Sequence, residues 1–372
     1  MTTADAEPLE RTQEVSALRI AMVAPPWIPV PPRGYGGIEA VIAALVRGLG
    51  EAGHEVVLYA APGSHSEHAR VVPVLEGQRT ERIGRARDEA DHIATVFRML
   101  ERERFDVLHD HGDGTLVAFA DRLRLPVVHT LHGPFDDASS EFYRRHGECV
   151  SLVALSNAQA RMAPAGVHID DVVANPLDLD DWPLRCEKDG PLLWIGRFAP
   201  EKGAHDALIA ACEARVPLTL AGVVQPGQER YFARSVEPYL GEGIAEFVGE
   251  VTGRHRCELY AKARALLMPI TWPEPFGMVM VEAMACGTPV IAYPAGSAPE
   301  LIDDGVTGFL VNDPEEMAGA IRRVGDLDPA EIRASAVRRF GLATVAAGYE
   351  RAYRRAIASP RALSVWPVAS AS

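Results

Sequence analysis

Two glutamates with seven residues between them, Glu274 and Glu282, stand in the segment WPEPFGMVMVEAMACGTPVIAY, Trp272 to Tyr293. Pro275 cannot sit inside a helix, so Glu274 belongs to the loop before one; that helix starts near Phe276 or Gly277 and stops around Gly287. The free N–H groups near Gly277 and Met278 then offer an anion the N-terminus of a helix. Glu282, one to two turns in, has acceptor capacity for both hydroxyls of a vicinal diol such as ribose. Glu274, held between Pro273 and Pro275, points into the cleft near whatever that helix start holds. Surface glutamates are common on any amphipathic helix, but here the surroundings are apolar and punctuated by glycine, which favours the chemical reading.

Arg197 and Lys202 form a second group in LLWIGRFAPEKG, Leu192 to Gly203, a strand followed by a turn and a helix start at Pro200 to Lys202. Arginine offers a fork and lysine a point charge, so the two could converge on one anion. Only three lysines occur in the chain, which sets Lys202 apart from a chance surface charge. The loop PPWIPVPPRGYGGIEA, Pro25 to Ala40, carries Gly34, Gly36 and Gly37, which let backbone approach a ligand closely ahead of a helix N-terminus. Tight turns need glycine for their own sake, so this loop alone is weak evidence. LHDHGDG, Leu108 to Gly114, and HTLHGPF, His129 to Phe135, bring histidines to the ends of two further strands. His109, Asp110 and His111 imitate a metal cluster, yet neighbours on an extended strand face opposite sides, so no metal is expected there. The Asp178 to Asp180 triplet reads as a solvated turn, away from Arg197 and Lys202.

The elements that position these residues alternate. Leu18 to Ala24, Val56 to Ala60, Val107 to His111, Val127 to Leu131 and Leu152 to Leu155 read as strands, and Ile38 to Gly53 as the first crossover helix. A second series runs through Leu192 to Ile195, Leu218 to Ala221, Glu246 to Val248, Ala265 to Pro269, Val290 to Ala292 and Phe309 to Val311. Between the two series, Ala174 to Pro191 is rich in Pro, Asp and Gly and reads as a linker. Such alternation predicts an α/β protein of two open, doubly wound parallel-sheet domains, with a cleft facing the carboxyl ends of both sheets. The expected boundaries are 18–178 and 190–345, with a helix over 346–358. The arginine-rich stretch from Ala330 to Ile357 reads as a solvated helix face, and the last residues as frayed or loosely strapped.

Length and composition agree. With 372 residues, 48% hydrophobic and 24% charged, the chain suits two globular domains rather than a disordered or fibrous one. A net charge of −14 opposes nucleic acid and gives no support to an anionic membrane surface. Five cysteines without CxxC spacing argue against a disulfide framework or a zinc site. The first 17 residues are polar and acidic, and no run approaches 18 apolar residues, so neither a signal peptide nor a membrane span is expected. A cytoplasmic protein fits best.

The Glu274 to Glu282 pattern, with PFG after the first glutamate, EAMACGTPVIA after the second and GSAPELIDDGVTGFLV from Gly296 to Val311, resembles the donor-site signature of family 4 retaining glycosyltransferases (glycosyl transferases group 1). The resemblance extends from Leu18 to about Ile357, more loosely in the first half. It implies the GT-B fold, two Rossmann-like domains, an acceptor side first and a nucleotide-sugar donor side second, with the C-terminal helix crossing back to the first. It implies a hexosyltransferase that moves a sugar from a nucleotide diphosphate sugar, UDP or GDP, to a glycan, lipid or natural-product acceptor with retention. No cofactor and no metal are implied; the nucleotide sugar is a co-substrate.

By the same resemblance, Arg197 and Lys202 bind the diphosphate, Glu274 serves the transferred sugar and His132 stands beside it. Gly36, Gly37, Val251, Phe276, Gly277, Met278 and Glu282 bind the donor, and Arg33 and Tyr35 belong to the acceptor side. No residue pair is placed by sequence as nucleophile and base, so the chemistry rests on stabilising the leaving diphosphate. Two rivals share the architecture: a nucleotide-sugar epimerase and a non-catalytic nucleotide-sugar-binding scaffold.

Overall fold

The computed structural model describes residues 16–34, 36–77, 80–241 and 243–359, so Tyr35, the first fifteen residues and the tail beyond Ser359 lie outside the described residues. Seven parallel strands form the first sheet: β1 Arg19–Val23, β2 Glu55–Ala60, β3 Ala69–Pro73, β4 Val107–Asp110, β5 Val127–Thr130, β6 Ser151–Ala154 and β7 Asp171–Val172. Their order is β3-β2-β1-β4-β5-β6-β7. Six parallel strands form the second: β8 Leu192–Ile195, β9 Leu218–Ala221, β10 Ala245–Phe247, β11 Leu266–Met268, β12 Val290–Ala292 and β13 Gly308–Leu310, in the order β10-β9-β8-β11-β12-β13.

Central strands are sealed on both faces: Ile20 to Val23 of β1 form an unbroken apolar run, whereas the equally sealed β4, VLHD, ends in His109 and Asp110. β3 and β7 escape the sequence reading for the opposite reason. Both are edge strands: β3, ARVVP, is only part-covered and ends in a proline that an interior strand would reject, and β7 has two residues.

The helix Gly37–Glu51 buries Val41, Ile42, Leu45 and Leu49 against the first sheet. The last helix, Leu342–Ala358, packs beside it, although it follows the second sheet in the chain. Its Val345, Ala346, Tyr349, Ala352, Tyr353 and Ala356, on one face at helical spacing, join the core that holds Ile20, Met22 and Leu45. Each large apolar side chain so enclosed contributes roughly 1.5–3 kcal/mol.

Two readings of charge need correction. Arg333 is not a solvated face residue: its guanidinium donates to the carbonyls of Trp182, Ala285 and Leu179, and Arg339 likewise donates to those of Leu301 and Glu300. These arginines staple the linker and a loop to the helix Pro329–Phe340, because carbonyls at element ends otherwise lack donors. Nor is the Asp178 to Asp180 turn merely solvated. Arg47 donates to Asp178 Oδ2 at 2.6 Å and to Asp180 Oδ2 at 2.8 Å, tying the linker to the first crossover helix.

Candidate functional site

In a doubly wound sheet the crevice lies at the carboxyl edge where strand order reverses. That point falls between β1 and β4 in the first sheet and between β8 and β11 in the second. The chemistry-bearing segments gather there: the glycine loop follows β1, His111 follows β4, His132 follows the neighbouring β5, Arg197 and Lys202 follow β8, and Glu274 follows β11.

Lys202 Nζ contacts Glu274 Oε2 at 2.7 Å and lies 4.3 Å from the centre of the Trp272 ring, whose Nε1 donates to the same carboxylate oxygen at 3.1 Å. The Lys202 and Glu274 side chains are only 13% and 14% exposed, so this pair works in a partly dry setting where each charge is felt strongly. Arg197 does not join them: it donates to Gln225 Oε1 at 3.1 Å. The two cations therefore stand on one strand end but are committed to different partners. The Glu274 loop is rigidly held, with Ser297 N donating to Glu274 O at 3.0 Å and Ser297 Oγ to Phe276 O at 2.6 Å.

The helix after that loop is Met278–Ala285, capped by Gly277 at φ 81°. A side chain there would be strained by the backbone and would also strike Met280, so glycine is required and the helix start stays open. Phe276 is buried beneath it, and Met278 is half-buried at its first turn. Glu282, 4% exposed, is not an isolated acceptor. Arg256 and Tyr260, one turn apart on the helix Gly253–Lys262, both meet Glu282 Oε2, Tyr260 OH donating at 2.8 Å. Burial would lower the Arg256 pKa, but the adjacent Glu282 carboxylate outweighs it and holds the guanidinium above its ordinary value. A cavity of about 640 Å³ lined by Asp180, Trp182, Arg256 and Cys257 adjoins this pair.

Across the cleft, the glycine loop approaches Thr252, the residue leading into that helix: a Cβ on Gly34 would lie 4.0 Å from Thr252 Cγ2. Val251 is buried and Arg33 exposed. Gly36 needs to be glycine, because a Cβ would sit 2.6 Å from Pro32 Cβ, whereas Gly37 opens the helix with free space around it. Glu39, in the first turn behind these glycines, is buried, and burial pushes its pKa up to about 7. Two contacts join the halves directly. Ser156 Oγ donates to Pro275 O at 2.7 Å, and the Glu300 carboxylate accepts from Asn157 N, Asn157 Nδ2 and Ala158 N.

The histidines form a layered network. His109 Nδ1 contacts Tyr353 OH at 2.8 Å, and its Nε2 contacts Thr130 Oγ1 at 2.8 Å. Asp110, on the opposite face of β4, pairs instead with His129 Nδ1 at 2.7 Å, and His129 Nε2 meets Tyr143 OH at 2.8 Å. His111 Nδ1 lies 2.9 Å from His132 Nε2. Burial lowers the pKa of His132 to about 3, with His129 adding to the effect, and holds His109 and His111 well below the usual imidazole range. The His109, His111 and His132 rings are thus polar and uncharged.

Among the described residues, no three His, Cys, Asp or Glu side chains are grouped as metal ligands, all five cysteines are free thiols, and no helix is long and apolar enough to cross a membrane. A cavity of about 980 Å³ lies at the opposite, amino-terminal edge of the second sheet, far along the strands from these groups. Sequence reasoning omits Trp272, Arg256, Tyr260, Glu39 and Ser156. Only the four-residue spacing of Arg256 and Tyr260 was a readable signal; the rest depend on contacts between distant segments.

Known proteins resemble this chain along most of its length. A sequence model described as Glycosyltransferase Family 4 matches residues 35–181, and one described as Glycosyl transferases group 1 matches residues 190–326. A glycogen synthase of Mycobacterium tuberculosis is 28% identical over 399 aligned positions, covering 90% of this chain and 94% of its own length. A D-inositol 3-phosphate glycosyltransferase of Frankia alni is 29% identical over 404 positions, covering 89% and 97%. Among solved structures, a glycosyltransferase involved in avilamycin A biosynthesis superposes with a TM-score of 0.70 at 28% identity, covering 92% of this chain and 98% of that one. An Anabaena protein in complex with UDP and glucose shares the fold with a TM-score of 0.68 at 20% identity, covering 91% and 100%.

Proposed function

The chain belongs to the group 1, family 4 glycosyltransferases and is a GT-B glycosyltransferase, and from that premise we propose that it transfers a hexose from a nucleotide diphosphate sugar with retention of anomeric configuration and without a resident metal. The observation that carries this reading is the Lys202–Glu274 pair beside the open helix start at Gly277. A diphosphate at that helix start meets backbone N–H groups and a lysine already in place, with Arg197 on the same strand end. Charge that builds on the leaving phosphate is then stabilised by groups that need no reorganisation. Freed in part from Lys202, the Glu274 carboxylate stands where positive charge develops on the sugar ring. Glu282, its geometry fixed by Arg256 and Tyr260, is the acceptor for the ribose diol. The Anabaena neighbour with UDP and glucose supports a nucleotide donor, and the names of the relatives support glycan, inositol phosphate or natural-product acceptors.

The test is a panel of UDP- and GDP-sugars read first by thermal shift and then by sugar release with and without EDTA. A donor at a hundred times its dissociation constant adds about 2.7 kcal/mol of stability. Activity that survives EDTA, with product of the donor's anomeric configuration by NMR, supports the reading. An inverted product overturns the retention, and activity lost to EDTA and restored by Mg²⁺ or Mn²⁺ overturns the metal independence.

A further inference from the structure

His111 is sealed, and its Nε2 has no hydrogen-bond partner among the described residues, while its Nδ1 faces His132 Nε2 at 2.9 Å. One proton is shared along that contact, and which ring supplies it follows from the sealed nitrogen. If His132 Nε2–H were the donor, neutral His111 would carry its own proton on Nε2, leaving a buried N–H unpaired at a cost of about 1–3 kcal/mol. If His111 Nδ1–H is the donor, the sealed Nε2 is a bare acceptor, a lesser penalty, and the N–H is satisfied.

We infer that His111 is a positioning residue for His132: it donates Nδ1–H to His132 Nε2, so that His132 keeps its own proton on Nδ1, the nitrogen left to donate to a ligand. His132 Nδ1 makes no hydrogen bond among the described residues, and His132 is half-buried where His111 is fully enclosed. The orientation of His111 is set in turn from behind. Its ring lies 4.0 Å, centre to centre, from that of His109, which Thr130 and Tyr353 clamp from both nitrogens. Tyr353 comes from the returning last helix, so that helix braces a cleft residue through two histidines. A neutral donor of fixed direction suits a sugar hydroxyl, and that part of the inference rests on the proposed glycosyl transfer.

The experiment is a long-range ¹H–¹⁵N correlation spectrum of protein labelled with ¹⁵N-histidine, recorded without donor. The expected spectrum has both His111 and His132 protonated at Nδ1. In His111→Asn the amide nitrogen takes the place of Nδ1 and still donates, so the His132 tautomer is retained and turnover stays within a few-fold of wild type. In His111→Leu the preference is lost, and turnover falls by about 10- to 100-fold, as when an orienting hydrogen bond to a histidine is removed. A wild-type His132 protonated at Nε2, or Asn and Leu variants that behave alike, overturns the inference. Should the Leu variant not fold, the wild-type spectrum decides alone. An Nδ1–H tautomer in a protein that releases no sugar from any donor would leave this inference standing and overturn the proposed function instead.

Discussion

The two faces of the cleft handle polarity in opposite ways. On the second-sheet side acid meets base, Lys202 with Glu274 and Arg256 with Glu282. On the first-sheet side the three imidazoles nearest the cleft are neutral and chained, His132 to His111, and His109 to Thr130 and Tyr353, with the Asp110–His129 pair on the opposite face of β4. Charges can be held in a dry site only when paired, whereas imidazoles escape the same penalty by shedding their proton. One face is therefore suited to a ligand whose charge changes, the other to one that offers hydroxyls.

The sharpest break of this contrast is at the charged face. Lys202→Ala and Glu274→Gln should each lower turnover by about 10²- to 10³-fold, the usual loss when one preorganised electrostatic group is removed. Steady-state kinetics beside isothermal titration checks it, with Glu274→Gln keeping affinity for the free nucleotide diphosphate. A variant near the wild-type rate would take its residue out of the mechanism.

The neutral face should declare itself through pH. His92, whose Nε2 lies 3.1 Å from Ala24 O at the end of β1, has its pKa lowered by burial to about 4. Its contribution is fully present above the unfolded value near 6.5 and is lost as pH falls through 4, about 3 kcal/mol in all. Glu39 has the opposite sign: raised to about 7, it favours folding below about 4.5 and loses that contribution as pH rises through 7. Urea titrations at pH 4, 5.5, 7 and 8 should show His92→Gln flattening the acid limb and Glu39→Gln gaining stability at pH 8. A wild-type acid slope in His92→Gln would remove it as a determinant.

Glu282→Gln sharpens the comparison within the charged face. Breaking a buried pair leaves an uncompensated guanidinium, and because Arg256 is about one-third exposed the loss should be near 2 kcal/mol, below the 3–5 typical of full burial. It should also weaken nucleotide diphosphate and donor alike, a uniform binding defect. An unchanged melting temperature would show that the pair is not a structural unit. The smallest effect is expected at Arg47→Ala: its contacts to Asp178 and Asp180 are partly solvated and worth less than about 1 kcal/mol in chemical denaturation.

The sequence by itself determined the α/β class, the central strands and a helix start within a residue or two of Gly277. These follow from local rules: strands sealed on both faces are mostly apolar, a proline cannot enter a helix, and a positive φ selects glycine. The alternation of strand and helix also determined that charged and histidine-rich segments would meet at carboxyl strand ends. Tertiary structure alone decided how those residues pair. Nothing local indicates that Lys202 turns to Glu274 while Arg197 turns to Gln225, that Arg256 shares Glu282 with Tyr260, or that Tyr353 from the last helix reaches His109. The stapling arginines were hidden for the same reason, whereas β3 was hidden by its part-covered, proline-ended sequence. A pairing across 72 or 244 positions depends on which surfaces the packed core brings within 3 Å, and the periodicity that marks an element carries no record of the side chain that will face it.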